Sequence, residues 1–494
     1  MSPRSFLSRA VLRSLAPAAC ALGLALTGGL GCVEVAGPAV RSPDATKWLT
    51  RAERELQVAD LEEARDSVAK ALSLAPEDEE VRLVAAQVHL ALLDYAEAVR
   101  LLKGIKGTKA AGLRGRALWY KGDLEAAADQ LEAMLNDPDV VDDWAKSIAK
   151  LARRGAGRTP FSLAGGRVAM IEMPHVSPSA PYFVVPVEID GEPALALVST
   201  GYAEVVIDSQ SRAEPSWVSL RFQRPAPALP SYQTTPLWWN EMTRADPGLE
   251  VQDVPALSQD LSGVSKMVGA PIKAILGVNL LRHVNATIDY TGRQFIARSS
   301  SPSPPPDATR VPLYYLKGGG MLMKSNLGDK AASLLIDTAM ALPVTLDDAG
   351  WEKAGVAAKD LKLVPDDPEK KLKEGLIPLL KIGTYEITGV PGYETGQVKQ
   401  IEEKLTFNLD GMVGNGLLAY YRITLADGGR LMWLEDNLSV QRILSGERAP
   451  QPLSPAQDGL LESVPSDLIP DPKAPPPSPG KPGPAPGSAN PPPK

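Results

Sequence analysis

The chain has 494 residues, a formal net charge of −7, 44% hydrophobic residues and 22% charged residues. It is too long for a single hydrophobic core and too acidic for a nucleic-acid surface, so a multi-domain protein without nucleic-acid partners is expected. Cys20, Cys32, His89, His175 and His283 are scattered singly and offer no metal-ligand spacing, so neither a metal site nor a cofactor is expected.

Residues 1–32 carry Arg4, Arg9 and Arg13, then an apolar stretch from Leu15 to Leu26, then small residues ending Gly29-Leu30-Gly31-Cys32. This pattern reads as an export signal. It resembles the bacterial lipoprotein type, with Leu30 one place nearer the cysteine than that type prefers. The resemblance implies lipidation of Cys32, a membrane anchor and, with Val33 as the next residue, delivery to the outer membrane. A simple cleaved signal and an uncleaved anchor are the competing readings. Residues 33–44 are a Gly/Pro/Ser tether.

From Ala45 to Gly155 the pattern is helical. Asp60-Leu61-Glu62-Glu63-Ala64, Asp94-Tyr95-Ala96-Glu97-Ala98 and Asp123-Leu124-Glu125-Ala126-Ala127 recur as helix starts. The first two are 34 residues apart and the third follows 29 residues later. The 34-residue spacing resembles the tetratricopeptide repeat, and Trp48, Ala64, Val68, Ala71 and Pro76 fall where that repeat places such residues. Helix hairpins of this kind bury their apolar stripes only by stacking on neighbours. The expected role is a peptide-binding groove or a spacer and docking platform; the sequence does not choose between them.

Beyond residue 160 the chain writes one pattern twice. Ala194-Leu195-Ala196-Leu197-Val198-Ser199-Thr200-Gly201 returns as Ala332-Ser333-Leu334-Leu335-Ile336-Asp337-Thr338-Ala339. Before each copy stands a hairpin pattern, Tyr182 to Gly191 and Met321 to Asp329. After each copy comes a strand pattern, Leu249 to Pro255 and Tyr385 to Pro391, and then a closing block. The two closing blocks are Ile275-Leu276-Gly277-Val278-Asn279-Leu280-Leu281 and Met412-Val413-Gly414-Asn415-Gly416-Leu417-Leu418. Blocks that keep order and spacing imply a duplicated β domain.

Each half resembles one lobe of a retropepsin-like or pepsin-like aspartic protease. The resemblance covers residues 160–298 and 309–446, joined by the Pro/Ser linker 299–308. It implies two closed-barrel-like all-β lobes facing each other, so the expected fold class is multi-domain α + β, with TPR-like helices at 45–155 followed by these lobes. It also implies that Ser199 and Asp337 occupy the two catalytic aspartate positions, with Thr200, Gly201, Thr338 and Ala339 completing the turns. The family needs two carboxylates that share a proton, one activating water while the other donates to the substrate carbonyl. Here Ser199 replaces one of them and Ala339 replaces the glycine of the second turn. Asp337 without a like charge beside it is expected to be an ordinary, partly buried carboxylate. Glu204 and Asp208 are acids near the first turn, but they lie on the outgoing strand.

In the family a flap covers the cleft within the interval that holds Trp238 and Trp239, which makes these two candidates for lining a peptide groove. Paired aromatics also simply pack on sheets. The charged run from Pro365 to Glu374 reads as a solvated loop, and residues 447–494 as a disordered Pro-rich tail. The expected function is non-catalytic binding of a peptide or protein partner at the cell envelope. An active aspartic endopeptidase using Asp337 and a scaffold without a ligand are the alternatives.

Overall fold

A computed structural model describes residues 41–177, 181–222, 248–305, 308–317, 319–365, 372–405 and 407–436. Cys32, Trp238, Trp239 and the Pro-rich tail lie outside these residues. Among the described residues no helix is long and apolar enough to cross a membrane.

The N-terminal part is helical: α1 (Pro43–Gln57), α2 (Leu61–Leu74), α3 (Glu79–Ala91), α4 (Tyr95–Leu102), α5 (Thr108–Lys121), α6 (Leu124–Leu135) and α7 (Asp143–Arg154). The starts of α1, α3, α4 and α7 are capped by side chains. Ser42 Oγ accepts from Ala45 N at 3.2 Å ahead of Pro43, and Asp78 and Asp142 accept in the same way from Val81 N and Ala145 N. Gly122 closes α5 in the left-handed region at φ 89°. In α1 the residues Ala45, Leu49, Ala52 and Leu56 form a buried stripe of period near 3.6, which places one face inward.

The first β lobe contains β1 (Ser162–Gly165), β2 (Val168–Glu172), β3 (Val184–Ile189), β4 (Glu192–Val198), β5 (Val205–Asp208), β6 (Ser216–Phe222), β7 (Leu249–Gln259), α8 (Ser262–Val268), β8 (Ile272–Leu276), α9 (Val278–His283), β9 (Thr287–Asp289) and β10 (Gln294–Arg298). The second contains β11 (Thr309–Leu316), β12 (Gly320–Leu327), β13 (Lys330–Asp337), β14 (Val344–Leu346), α10 (Asp348–Ala354), β15 (Lys362–Leu363), β16 (Lys373–Ile382), β17 (Tyr385–Glu394), α11 (Gln397–Leu405), β18 (Gly411–Gly414), α12 (Asn415–Leu418), β19 (Tyr421–Ala426) and β20 (Leu431–Asp436).

The strand pairings repeat as the sequence blocks do. β4 runs parallel to β8, as β13 does to β18. β5 lies antiparallel to β8 and parallel to β7, as β14 does to β18 and β17. The hairpins β3–β4 and β12–β13 also correspond, as do the pairs β6–β7 and β16–β17. Lys373 and Glu374, expected in a loop, begin β16: they pair with Glu394 and Tyr393, and Lys373 Nζ forms an ion pair with Glu394 at 2.6 Å. Cross-strand pairing there outweighs the low strand propensity of charged residues.

The lobes join through a shared sheet in the order β11-β20-β19-β9-β10-β2. At its centre β9 pairs antiparallel with β19, and the hydroxyls of Thr287 and Thr424, facing residues of that register, are 2.8 Å apart. One buried cluster includes Phe183, Phe222 and Phe295 of the first lobe with Tyr315, Trp351 and Tyr421 of the second.

The helices pack into this assembly. Residues of α1–α5 share a core with Tyr314, Leu316, Leu322, Leu335, Met340 and Met412 of the second lobe. Polar contacts fix the register. Tyr314 Oη donates to Glu62 at 2.7 Å, Ser333 Oγ to Val58 O at 3.1 Å, and Asn408 N to Gln57 O at 2.7 Å. At the other end, Trp217 of the first lobe donates to Leu151 O of α7 at 3.0 Å.

Candidate functional site

The two turns predicted to face each other do so. Apolar strands β4 and β13 are buried at their C-terminal ends and deliver Ser199-Thr200-Gly201 and Asp337-Thr338-Ala339 to the middle of the molecule. Thr200 N donates to Thr338 Oγ1 at 3.0 Å and Thr338 N donates to Thr200 Oγ1 at 3.1 Å. Each hydroxyl passes its own proton across the interface, Thr200 to Ile336 O at 2.8 Å and Thr338 to Val198 O at 3.0 Å. Four reciprocal, buried hydrogen bonds therefore relate the turns by a pseudo-twofold axis and leave every group of the joint satisfied.

The closing blocks brace these turns from behind. Val278 N donates to Tyr202 O at 2.8 Å and Asn279 N to Ala203 O at 3.0 Å; in the second lobe Asn415 N donates to Met340 O at 2.7 Å. Gly277 and Gly414 are required for this contact. A Cβ on Gly277 would sit 2.1 Å from Glu204 O, and one on Gly414 would sit 2.4 Å from both Leu342 O and Met340 O. The Asn415 side chain also reaches across the lobes, donating to Pro181 O at 2.9 Å and to Thr338 O. Asn415 was not singled out from the sequence, although its place directly after the second closing glycine was a usable signal.

Among the described residues one acid, Asp337, reaches the axis. Asp337 is 5% exposed and its Oδ1 accepts from Ala339 N at 2.8 Å. Burial pushes its carboxyl above the usual aspartate range, against the opposing pull of the Ala339 N–H, the Ser199 hydroxyl and the Gly201 N–H, which favour the anion. No second carboxylate among the described residues contributes to that shift. Asp337 is thus more deeply buried than the ordinary, partly buried carboxylate expected from the sequence, because the packed turns exclude water from it.

Ser199 is fully buried, and its Oγ has no partner of good hydrogen-bond geometry among the described residues, although it lies close enough to Asp337 to favour the charged form. Gly201 lies directly against the acid, and a Cβ there would fall 2.8 Å from Asp337 Oδ1 and 2.9 Å from its Cγ. Ala339 holds the place in the second turn that Gly201 holds in the first. By that correspondence a carboxylate at 199 would meet the Ala339 methyl as Asp337 meets Gly201.

Glu204 and Asp208 do not supply the missing acid. Asp208 forms an ion pair with Lys273 at 2.8 Å and accepts from Leu261 N. Glu204 turns toward the helices, where Tyr120 Oη and Trp119 Nε1 donate to its Oε1 at 3.1 and 3.4 Å. The candidate groove residues Trp238 and Trp239 and the candidate lipidation site Cys32 lie outside the described residues.

No protein-family model matches the chain, and no curated protein matches it. Solved structures do. A retropepsin-like aspartic protease from Rickettsia conorii aligns at 17% identity over 26% of this chain and 93% of its own, with a TM-score of 0.20. The structure of edgp aligns at 9% identity over 56% of this chain and 96% of its own, with a TM-score of 0.35. Basic 7S globulin from soybean aligns at 8% identity over 55% of this chain and 97% of its own, with a TM-score of 0.33.

Proposed function

We propose that the paired lobes are an aspartic-protease-like unit that has lost peptidase chemistry and serves as a binding module for an extended peptide or a partner protein. The observation that carries this reading is the pairing of Asp337 with Ser199 across an intact threonine joint. A dyad works because two close carboxylates cannot both ionise, so that one stays protonated beside its anionic partner. A serine hydroxyl holds a water but takes no negative charge, and removing a positioned acid or base costs about 10²–10⁴ in rate. The helices are already engaged with the second lobe through Tyr314, Leu322 and Leu335, which supports the docking role for them and leaves the cleft as the peptide site in this reading. An extended peptide there pairs through its backbone as an added strand, which needs no acid. Export and lipidation at Cys32 would hold this module at the bacterial envelope, on the strength of the N-terminal pattern alone.

The burial of the turns favours a second reading. With Ser199 at 0% and Asp337 at 5% exposure, the floor of the cleft is closed, as it would be in a scaffold whose duplicated lobes hold no ligand.

A peptidase assay on a mixed peptide library at pH 3–7, combined with affinity capture from the same library, separates these readings. Wild type should cleave nothing. Ser199→Asp combined with Ala339→Gly should gain pepstatin-sensitive cleavage, and Ser199→Asp alone should gain much less because the Ala339 methyl opposes the new carboxylate. Cleavage by wild type that Asp337→Ala abolishes would establish a one-aspartate peptidase instead, while an inert protein that captures no peptide supports the scaffold.

A further inference from the structure

A second polar site lies away from the threonine joint, in a cavity of about 210 Å³ between the end of α5 and the first lobe. Its walls include Trp119 and Tyr120 from the helix, Phe161 from the connection, and Glu204, Arg282 and His283 from the lobe. A water needs roughly 10–15 Å³ of such space, so the cavity has room for a small organic molecule.

Two side chains in this wall are incompletely satisfied. Glu204 is 4% exposed, and Tyr120 and Trp119 bond to its Oε1; the Trp144 indole and the Arg116 charge also favour its anion, yet burial outweighs them and raises its carboxyl above the usual range, and Oε2 has no donor of good hydrogen-bond geometry among the described residues. Arg282 is 5% exposed, has no ion-pair partner among the described residues, and its Nε is unpartnered. Its guanidinium carbon sits 5.5 Å from the Tyr95 ring centroid, a contact that orients a cation without neutralising it. A buried cation such as Arg282 left without an ion-pair partner costs several kilocalories per mole, so such a group is retained where something else completes it.

Fold and sequence hold the two groups rigidly together. Glu204 directly follows Ala203, whose carbonyl accepts from Asn279 N in the first turn of α9, and Arg282 lies one turn further along that helix. Two other ionisable groups of the wall, Arg158 and His283, are engaged elsewhere, while Lys121 adds a second cation to it. Arg158 is paired with Asp253 at 2.5 Å. Burial holds His283 down to about 4, so its ring is neutral at physiological pH; Nδ1 then donates to Asn279 O at 2.5 Å while the ring stacks on Phe161 with centroids 4.4 Å apart. The remaining surface is the aromatic faces of Trp119 and Phe161, suited to a carbon skeleton.

We propose that this cavity binds a small zwitterion of the amino-acid class, with its carboxylate on Arg282 and its ammonium group on Glu204 Oε2. An anion alone leaves Glu204 Oε2 open and a cation alone leaves Arg282 open, whereas a zwitterion satisfies both. The site depends on neither Asp337 nor the cleft, and it stands whether or not the lobes bind peptide.

Titration calorimetry of the full chain with glycine, acetate and methylammonium tests this directly. Glycine should bind at least about tenfold more tightly than either single-charge probe, the factor that one charge-assisted hydrogen bond supplies. Glu204→Gln should remove that advantage and leave acetate binding unchanged, and Arg282→Lys should weaken both glycine and acetate. Circular dichroism reports whether each variant folds. If Arg282→Lys does not fold, the near-isosteric Glu204→Gln decides alone through its glycine-to-acetate ratio. Absence of heat with all three probes overturns the proposal, as does acetate or methylammonium binding as tightly as glycine, or glycine binding that Glu204→Gln leaves intact.

Discussion

Asp337 is held where a charged carboxylate is disfavoured. Its folded-state pKa lies above the usual aspartate value because the packed turns desolvate it more than the Ala339 and Gly201 N–H groups compensate. The unfolded chain releases that proton at lower pH than the folded one. The group's contribution to stability is therefore fully present below the ordinary aspartate range and is lost as pH rises through the raised folded value. Asp337→Asn should accordingly melt at a higher temperature than wild type at pH 7, and the gap should close near pH 3. Thermal melts of both proteins across that range check the sign; equal melting temperatures at pH 7 would mean that the turn N–H groups fully offset the burial. The correspondence of Ser199 with Asp337 was readable from the repeat alone. The burial of Asp337 was not, because it depends on the distant first turn, whose Gly201 lies against the carboxylate.

At the scale of elements, the four repeated sequence blocks correspond to repeated pairings: hairpin, turn, outgoing strand and closing strand with its short helix. Alternation and glycine placement made them legible, since β periodicity and turn chemistry are local properties. The closing glycines illustrate why the spacing is kept. At Gly277 the backbone of the outgoing segment passes so close that Gly277→Ala brings Cβ to 2.1 Å from the Glu204 carbonyl oxygen. Backbone there cannot swing aside without breaking the bonds from Val278 N and Asn279 N. The substitution should destabilise the protein by more than about 4 kcal/mol, among the largest single-residue effects, or prevent folding. Urea denaturation monitored by tryptophan fluorescence would measure it, with Gly263→Ala as a control where a Cβ meets nothing within 4 Å. The charged stretch before β16 was misread in part because charge is a weak predictor once a cross-strand partner such as Glu394 is available.

For the whole molecule, the helices and lobes behave as one packed body from Arg41 onward. Helical faces that a solenoid would otherwise leave as a groove share their core with Tyr314, Leu316, Leu322 and Leu335. A fragment beginning at Thr159 should therefore expose this apolar face, bind an apolar dye and self-associate in size-exclusion chromatography, whereas the fragment from Arg41 to Asp436 should remain monodisperse with a single calorimetric transition. Two separate transitions in the longer fragment would show that the helices fold independently of the lobes. The amino-acid sequence by itself determined the helical stretch, the duplicated β pattern, the two turns and the presence of serine at one and aspartate at the other, because each is a matter of local periodicity or of residue type at a repeated place. Only the tertiary structure decided that Asp337 is desolvated, that the two threonines bond across the turns, that the helices rest on the second lobe and that Glu204 and Arg282 share a cavity. Those facts depend on which distant segments meet, and neither burial nor the pairing of charges across a fold is written in any local stretch of chain.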